Sequence, residues 1–324
     1  MNSIILRRAA LPAALALTLG LTACGGNNEA NAGAAGSGGK AKLSGEIIMD
    51  GSSTVAPLSS AAGELFKEVQ NGVNVSVQTS GTGGGFKKFC AGQTQFSNAS
   101  RPIKDEEIKQ CTDSAVKYAE ILVANDALTV VANKDNKFLD CLTTAELKKL
   151  WEPAAEKKIV TWNQVRPSFP AEKIELYGAG TDSGTFDYFT EEINGKVGAS
   201  RTDYNPTEDD NVTVQGVAGS TGALGYFGYT YFEENQAKLK AVKVDSGKGC
   251  VAPSSDNAQN GTYSPLSRPL FIYVSEKAIA RPEVKAFAEF YVKNDAAIAK
   301  AGKFIPLNEE QKTKAAAALA SVSK

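Results

Sequence analysis

In four places along the chain, a stretch that reads as a strand gives way to apolar residues at helical spacing, with a small hydroxyl-rich turn between. "GEIIMD", Gly45 to Asp50, predicts a strand. In the "GSSTVAPLSSAAGELFKEV" that follows, Leu58, Ala61, Ala62, Leu65, Phe66 and Val69 share a helix face that begins just after Ser52, Ser53 and Thr54. "GVNVSVQTS" alternates Val73, Val75 and Val77, a strand pattern, and the helix after it carries Phe86, Phe89 and Cys90 on one side. Its mouth is Ser80, Gly81, Thr82 and Gly83. "TQFSNAS" leads into "RPIKDEEIKQC", with Ser100 and Arg101 at the mouth; Pro102 suits a helix's first turn and the acidic run 105 to 107 suits its positive end. Ile174 and Leu176 end a fourth strand, and Phe186, Phe189 and Ile193 mark a helix stopped by Asn194 and Gly195. Between them "GAGTDSGT" supplies glycines, hydroxyls and the single carboxylate of Asp182.

A helix N-terminus exposes unpaired backbone N–H groups and partial positive charge, and glycine lets a ligand come close to that backbone. Each junction is therefore a candidate anion cradle. The plain alternative for any one of them is N-capping by Ser, Thr or Asp. Four such mouths, each with more hydroxyls than a cap needs, favour a shared oxyanion site.

The 324 residues are 42% hydrophobic and 22% charged, an ordinary globular composition. The N-terminus carries Arg7 and Arg8, an apolar run and "LTAC" ending at Cys24, which reads as an export signal over 1–23. Leu21, Thr22 and Ala23 before Cys24 resemble a bacterial lipobox, so Cys24 is the expected lipidated residue; the alternative is an ordinary signal peptide with an incidental cysteine. Residues 24–44, rich in Gly, Ala and Asn, read as a flexible linker. What remains exceeds the usual size of one core, so two lobes are expected. A net charge of −1 gives no global attraction to nucleic acid or anionic membrane, so a small anion has to be captured locally.

Enzymatic readings lack their parts. No P-loop or G-x-G-x-x-G is present, and with no histidine in the chain a Ser-His-Asp triad is absent. "DSGT" from Asp182 looks like half of an aspartic-protease dyad, but the second Asp-Ser-Gly, at Asp245, continues into Lys248. Cys90, Cys111, Cys141 and Cys250 form an even set in an exported chain, which favours disulfides over zinc, there being no CxxC. Sequence leaves three pairings open.

"DGSSTVAPLS", "SGTGGGFKKFCAG", "SNASRPI", "GAGTDSGTFDYF" and "GALGYFGYTYF" together resemble the PstS family, the substrate-binding proteins of the high-affinity phosphate ABC transporter. The resemblance spans nearly the whole mature chain. It implies an α/β, two-lobed periplasmic-binding-protein type II fold, with lobe I at 45–125 and 266–324 and lobe II at 126–265. "ILVANDALTVVAN" and "SRPLFIYVS" would be the crossing hinge strands. Two cysteines then fall in each lobe, and pairing Cys90 with Cys111 and Cys141 with Cys250 avoids a bridge that would obstruct hinge closure.

The resemblance also implies phosphate contacts at Ser53, Thr54, Ser80, Gly81, Thr82, Ser183, Gly184 and Thr185, and Ser100 at the third mouth is expected to join them. Many family members carry an Asp where this chain has Arg101 and an Arg where it has Ala179, so charge is exchanged between loops. Arg101 becomes the expected cation and Asp182 the acceptor for the proton on hydrogen phosphate. The implied protein is not an enzyme and needs no cofactor or metal. It would be a lipid-anchored receptor on the extracytoplasmic face of the cell membrane, handing phosphate to permease subunits driven by a cytoplasmic ATPase. Alternatives are a receptor for sulfate or molybdate, or an adhesion or sensory protein on the same fold.

Overall fold

In the computed structural model, residues 42–323 are described; the leader, Cys24 and most of the linker lie outside them. The strands are β1 (Ser44–Gly51), β2 (Gly72–Thr79), β3 (Phe96–Ala99), β4 (Tyr118–Asn133), β5 (Cys141–Thr143) and β6 (Glu175–Ala179). They continue as β7 (Asn205–Thr207), β8 (Ala223–Gly228), β9 (Leu239–Ala241), β10 (Lys243–Asp245), β11 (Cys250–Val251) and β12 (Ser267–Ser275). Helices α1 (Ala56–Val69), α2 (Gly81–Cys90) and α3 (Asp105–Asp113) follow the first three strands.

β4 organises the molecule. Its apolar sequence is buried almost without interruption from Val123 to Asn133, as a strand covered on both faces requires. From Tyr118 to Ala127 it pairs antiparallel with β12; from Leu128 to Ala132 it pairs antiparallel with β8 instead. One strand thus serves both lobes, within a sheet ordered β2-β1-β3-β12-β4-β8-β6-β7 among the described residues, with β9 added on β4. β1 pairs parallel with β2 and β3, and β6 pairs parallel with β7 and β8, so each lobe carries its own parallel half-sheet.

The cores are separate. Ile47, Phe66, Phe96, Ile121, Phe287 and Tyr291 belong to one, whereas Leu128, Trp151, Trp162, Phe189, Tyr226 and Tyr263 belong to the other. Leu266 and Ile305, read from sequence as lobe I, pack in the second core. Ile305 gets there because its backbone bridges Asn125 of the hinge strand β4, with N···O distances of 2.9 and 3.0 Å.

Cys90 is bonded to Cys111 and Cys141 to Cys250. The first bond ties α2 to α3; the second joins the edge strands of the small β11-β10-β5 sheet. One local expectation is corrected. Pro102 does not open the third helix, which begins at Asp105 after Lys104 as N-cap, because Glu107 reaches back to the Lys104 amide at 2.9 Å and fixes the start there.

Candidate functional site

Three mouth loops of the first lobe meet because parallel pairing brings the ends of β1, β2 and β3 side by side. They are then tied to one another. Ser80 N–H donates to Gly51 O at 3.2 Å, Ser52 N–H to Asn98 O at 2.9 Å, and Ser100 N–H to Thr82 Oγ1 at 3.3 Å. Ser80 and Val55, the N-cap residues of α2 and α1, make no side-chain cap bond. The mouth hydroxyls therefore have other work.

Opposite them stands the short helix Gly184–Phe189, continued by a π-helical turn, Thr190–Asn194. Together these elements enclose a cavity of about 580 Å³. Of the residues expected at a ligand, Ser53, Thr54, Gly81, Thr82, Ser100, Arg101 and Gly184 line it. The lobes touch here: a Cβ on Gly184 would lie 2.8 Å from Thr54 Oγ1 and 3.3 Å from Ser53 Oγ.

Ser80, Asp182, Ser183 and Thr185 do not line the cavity. Ser80 Oγ donates to the buried carboxylate of Asp50 at 2.7 Å, and Ser183 Oγ accepts from Thr185 N–H at 3.1 Å, capping its helix. Asp182 is exposed, its amide directed to Glu208. The carboxylates that do face the cavity are Asp187, Glu191 and Glu192. Burial, then repulsion from Glu191, pushes Asp187 above the usual carboxylate range, with Arg268 opposing.

Arg101 is held by Glu107 in a bidentate pair, 2.8 Å through Nη1 and 2.7 Å through Nη2, and Nη1 also donates to Pro102 O. That leaves two of its five N–H groups uncommitted among the described residues. Burial alone would raise Glu107, but the Arg101 and Lys104 hydrogen bonds hold it below the ordinary value.

Arg268, on β12, is the cation the sequence reading missed. Its Nε donates to Asp126 Oδ2 at 3.2 Å, its Nη2 to Thr54 Oγ1 at 2.9 Å, and its guanidinium carbon lies 3.5 Å from the centre of the Tyr188 ring. It thus touches the hinge strand β4, the first lobe and the second lobe at once. Three of its N–H groups stay uncommitted among the described residues, and Thr54, accepting from Arg268, keeps its own hydroxyl proton to donate. The signal was present in the sequence: Asp126 is the one charge in the run 121–133 and Arg268 the one charge in β12, and charges buried this way need a partner.

The sequence profile of the PBP superfamily domain matches residues 35–295. A SphX protein of Synechocystis is 48% identical over 94% of this chain and 87% of its own length. The phosphate-binding protein PstS of Staphylococcus saprophyticus is 44% identical over 86% of this chain and 82% of its own. The chain belongs to the PstS family of this superfamily. The crystal structure of a possible phosphate-binding protein from Planctomyces limnophilus superposes with a TM-score of 0.82 at 47% identity, covering 87% of this chain and all of the other. The PstS family is one of substrate-binding receptors, and its fold is the two-lobed α/β arrangement described above.

Among the described residues no helix is long and apolar enough to cross a membrane, and no group of Cys, Asp or Glu is arranged to hold a metal ion.

Proposed function

We propose that this protein is a non-enzymatic receptor that binds inorganic phosphate between its lobes and delivers it to an ABC-transporter permease. The observation that carries this reading is the convergence on one cavity of Ser53 and Thr54, Gly81 and Thr82, Ser100 and Arg101, Gly184 and Arg268, drawn from both lobes and the hinge. A tetrahedral oxyanion needs donors on every side, and hydroxyls, helix-mouth amides and two guanidinium groups supply them. The names of the PstS relatives support phosphate as the anion.

The proton of hydrogen phosphate needs an acceptor, and the position of Asp187 on the cavity wall supports that residue in place of Asp182. Sulfate has no proton to offer at neutral pH, so a carboxylate there disfavours it. Cys24 is the proposed lipid attachment point, holding the receptor on the extracytoplasmic face beside its permease. Cys24→Ser should release the protein from membranes and leave phosphate binding intact; continued attachment places the anchor elsewhere.

Thermal unfolding of ligand-stripped protein against phosphate, arsenate, sulfate and molybdate tests the function. At free phosphate a hundredfold above its dissociation constant the fold should gain about 2.7 kcal/mol. A shift with sulfate or molybdate alone makes it a receptor for that oxyanion, and no shift with any of them refutes anion binding.

A further inference from the structure

Asp50 is the penultimate residue of β1, two residues before Ser52 of the cavity wall, and it is fully buried. A carboxylate directly behind an anion cradle would oppose the anion unless its charge is met. Its Oδ1 accepts from Ser80 Oγ at 2.7 Å, its Oδ2 is paired with Lys88 Nζ, and the Gly51 amide adds a third bond. Ser80 precedes the first residue of α2 and Lys88 lies two turns along it, so Asp50 grips one helix at two points. The stretch between begins with Gly81, Thr82 and Gly83, all on the cavity wall. Contact is close along this seam: a Cβ on Gly85 would lie 2.5 Å from Gly51 Cα and 2.8 Å from Asp50 O.

We infer that Asp50, Ser80 and Lys88 form a charge-balanced positioning set behind the anion cradle. Asp50 fixes Gly81–Gly83 of α2 against the Ser52–Thr54 loop, and Lys88 supplies the positive charge that keeps Asp50 from repelling the ligand. The inference rests on the anion-binding reading of the cleft and gives Ser80 a positioning role in place of ligand contact.

The surroundings make Lys88 hard to replace. β2 and β3 contain no ionisable residue, and α1 has none before Glu64. On α2 the other charged residue is Lys87, which is exposed, and toward α3 Arg101 and Glu107 neutralise each other. Burial pushes the Asp50 carboxyl up, yet the bonds from Lys88 and Ser80 bring it below the usual range. Without Lys88 the burial effect would dominate, and Asp50 would take up a proton at a higher pH.

The test compares phosphate affinity of Lys88→Met, Lys88→Arg and the double variant Asp50→Asn/Lys88→Met with wild type at pH 8 and pH 5.5. Taking the ratio to wild type at each pH cancels the ionisation of phosphate itself. Lys88→Met should bind at least about tenfold more weakly at pH 8, with the deficit shrinking at pH 5.5 as the unpaired Asp50 is protonated. Lys88→Arg should lie within about threefold of wild type at both pH values. The double variant, with one grip on α2 lost but no unpaired charge, should bind better than Lys88→Met at pH 8, with a deficit that does not change with pH. Wild-type affinity in Lys88→Met, or a deficit equal at both pH values, overturns the inference. Backbone amide exchange of Gly81–Gly85 in the anion-free proteins separates it from the reading of the cleft. Exchange should rise in Lys88→Met at pH 8 relative to wild type, and much less at pH 5.5, whether or not phosphate binds; unchanged exchange refutes the positioning role. Wild type that binds no anion refutes the cleft reading alone.

Discussion

Gly184 and Thr54 come from opposite lobes, yet a single methyl on Gly184 would stand 2.8 Å from Thr54 Oγ1 and 3.2 Å from Thr54 N. Thr54 has little room to yield, because its hydroxyl already accepts from Arg268. The lobes can approach this closely only because position 184 has no side chain. Gly184→Ala should hold the cleft apart and weaken phosphate binding by about 1–3 kcal/mol, the usual cost of overpacking, while the thermal stability of the ligand-free protein stays nearly the same. Calorimetric titration beside a melting curve checks both halves.

Arg268 joins the hinge to both lobes, and its loss should be felt in two ways. Arg268→Gln should lower phosphate affinity by about 1.5–3 kcal/mol, roughly tenfold to a hundredfold, as charge-assisted bonds are removed. It also strips Asp126 of its partner. Burial already raises Asp126 above the ordinary carboxylate value, with Arg268 opposing, so in the variant the raised folded-state pKa rises further. A group raised in this way contributes stability below its unfolded pKa and loses it as pH climbs through the folded one. The melting temperature of Arg268→Gln should therefore fall further below wild type at pH 8 than at pH 5. A gap independent of pH would mean that losing Arg268 does not change how Asp126 takes up its proton.

Selectivity provides a contrast between two carboxylates. Asp187→Asn replaces an acceptor by a group that can donate, so sulfate should gain relative to phosphate. Asp182→Asn, on an exposed residue outside the cavity, should leave the ratio of the two affinities unchanged. Calorimetry of both anions on both variants decides; the opposite pattern returns the role to Asp182.

The bond between Cys141 and Cys250 closes a separation of 109 residues within the second lobe's segment, and neither cysteine lines the cavity. Replacing both with Ala should cost about 2–5 kcal/mol of stability without changing the phosphate affinity of the folded protein. Denaturant melts and binding measured below the transition are the check.

The mouths of the site were legible in the sequence because their signals are local. Glycines and hydroxyls between a strand and a helix describe one turn, and Thr54, Thr82 and Gly184 reach the cavity wall from three such turns. What was not legible depends on facing and on distance along the chain. Asp182 and Asp187 flank the same helix start, and nothing in the sequence says which side of so short a helix meets the opposing lobe. Ser80 looked like its neighbours, but its hydroxyl turns inward to a carboxylate 30 positions earlier. Arg268 and Asp126 are 142 residues apart and meet only because β4 and β12 pair antiparallel. The crossing strands themselves were expected from the family resemblance. That they also carry the site's second cation was not.

If the proposed function holds, phosphate is held by donors from both lobes and from the hinge, and a crystal structure of the ligand-stripped protein grown with phosphate shows it there. Tetrahedral density should appear between Thr54, Thr82 and Gly184, with guanidinium nitrogens of Arg268 within hydrogen-bonding distance. Phosphate bound at full occupancy elsewhere, or in this cavity with Arg268 still turned wholly to Asp126 and Thr54, would contradict the account.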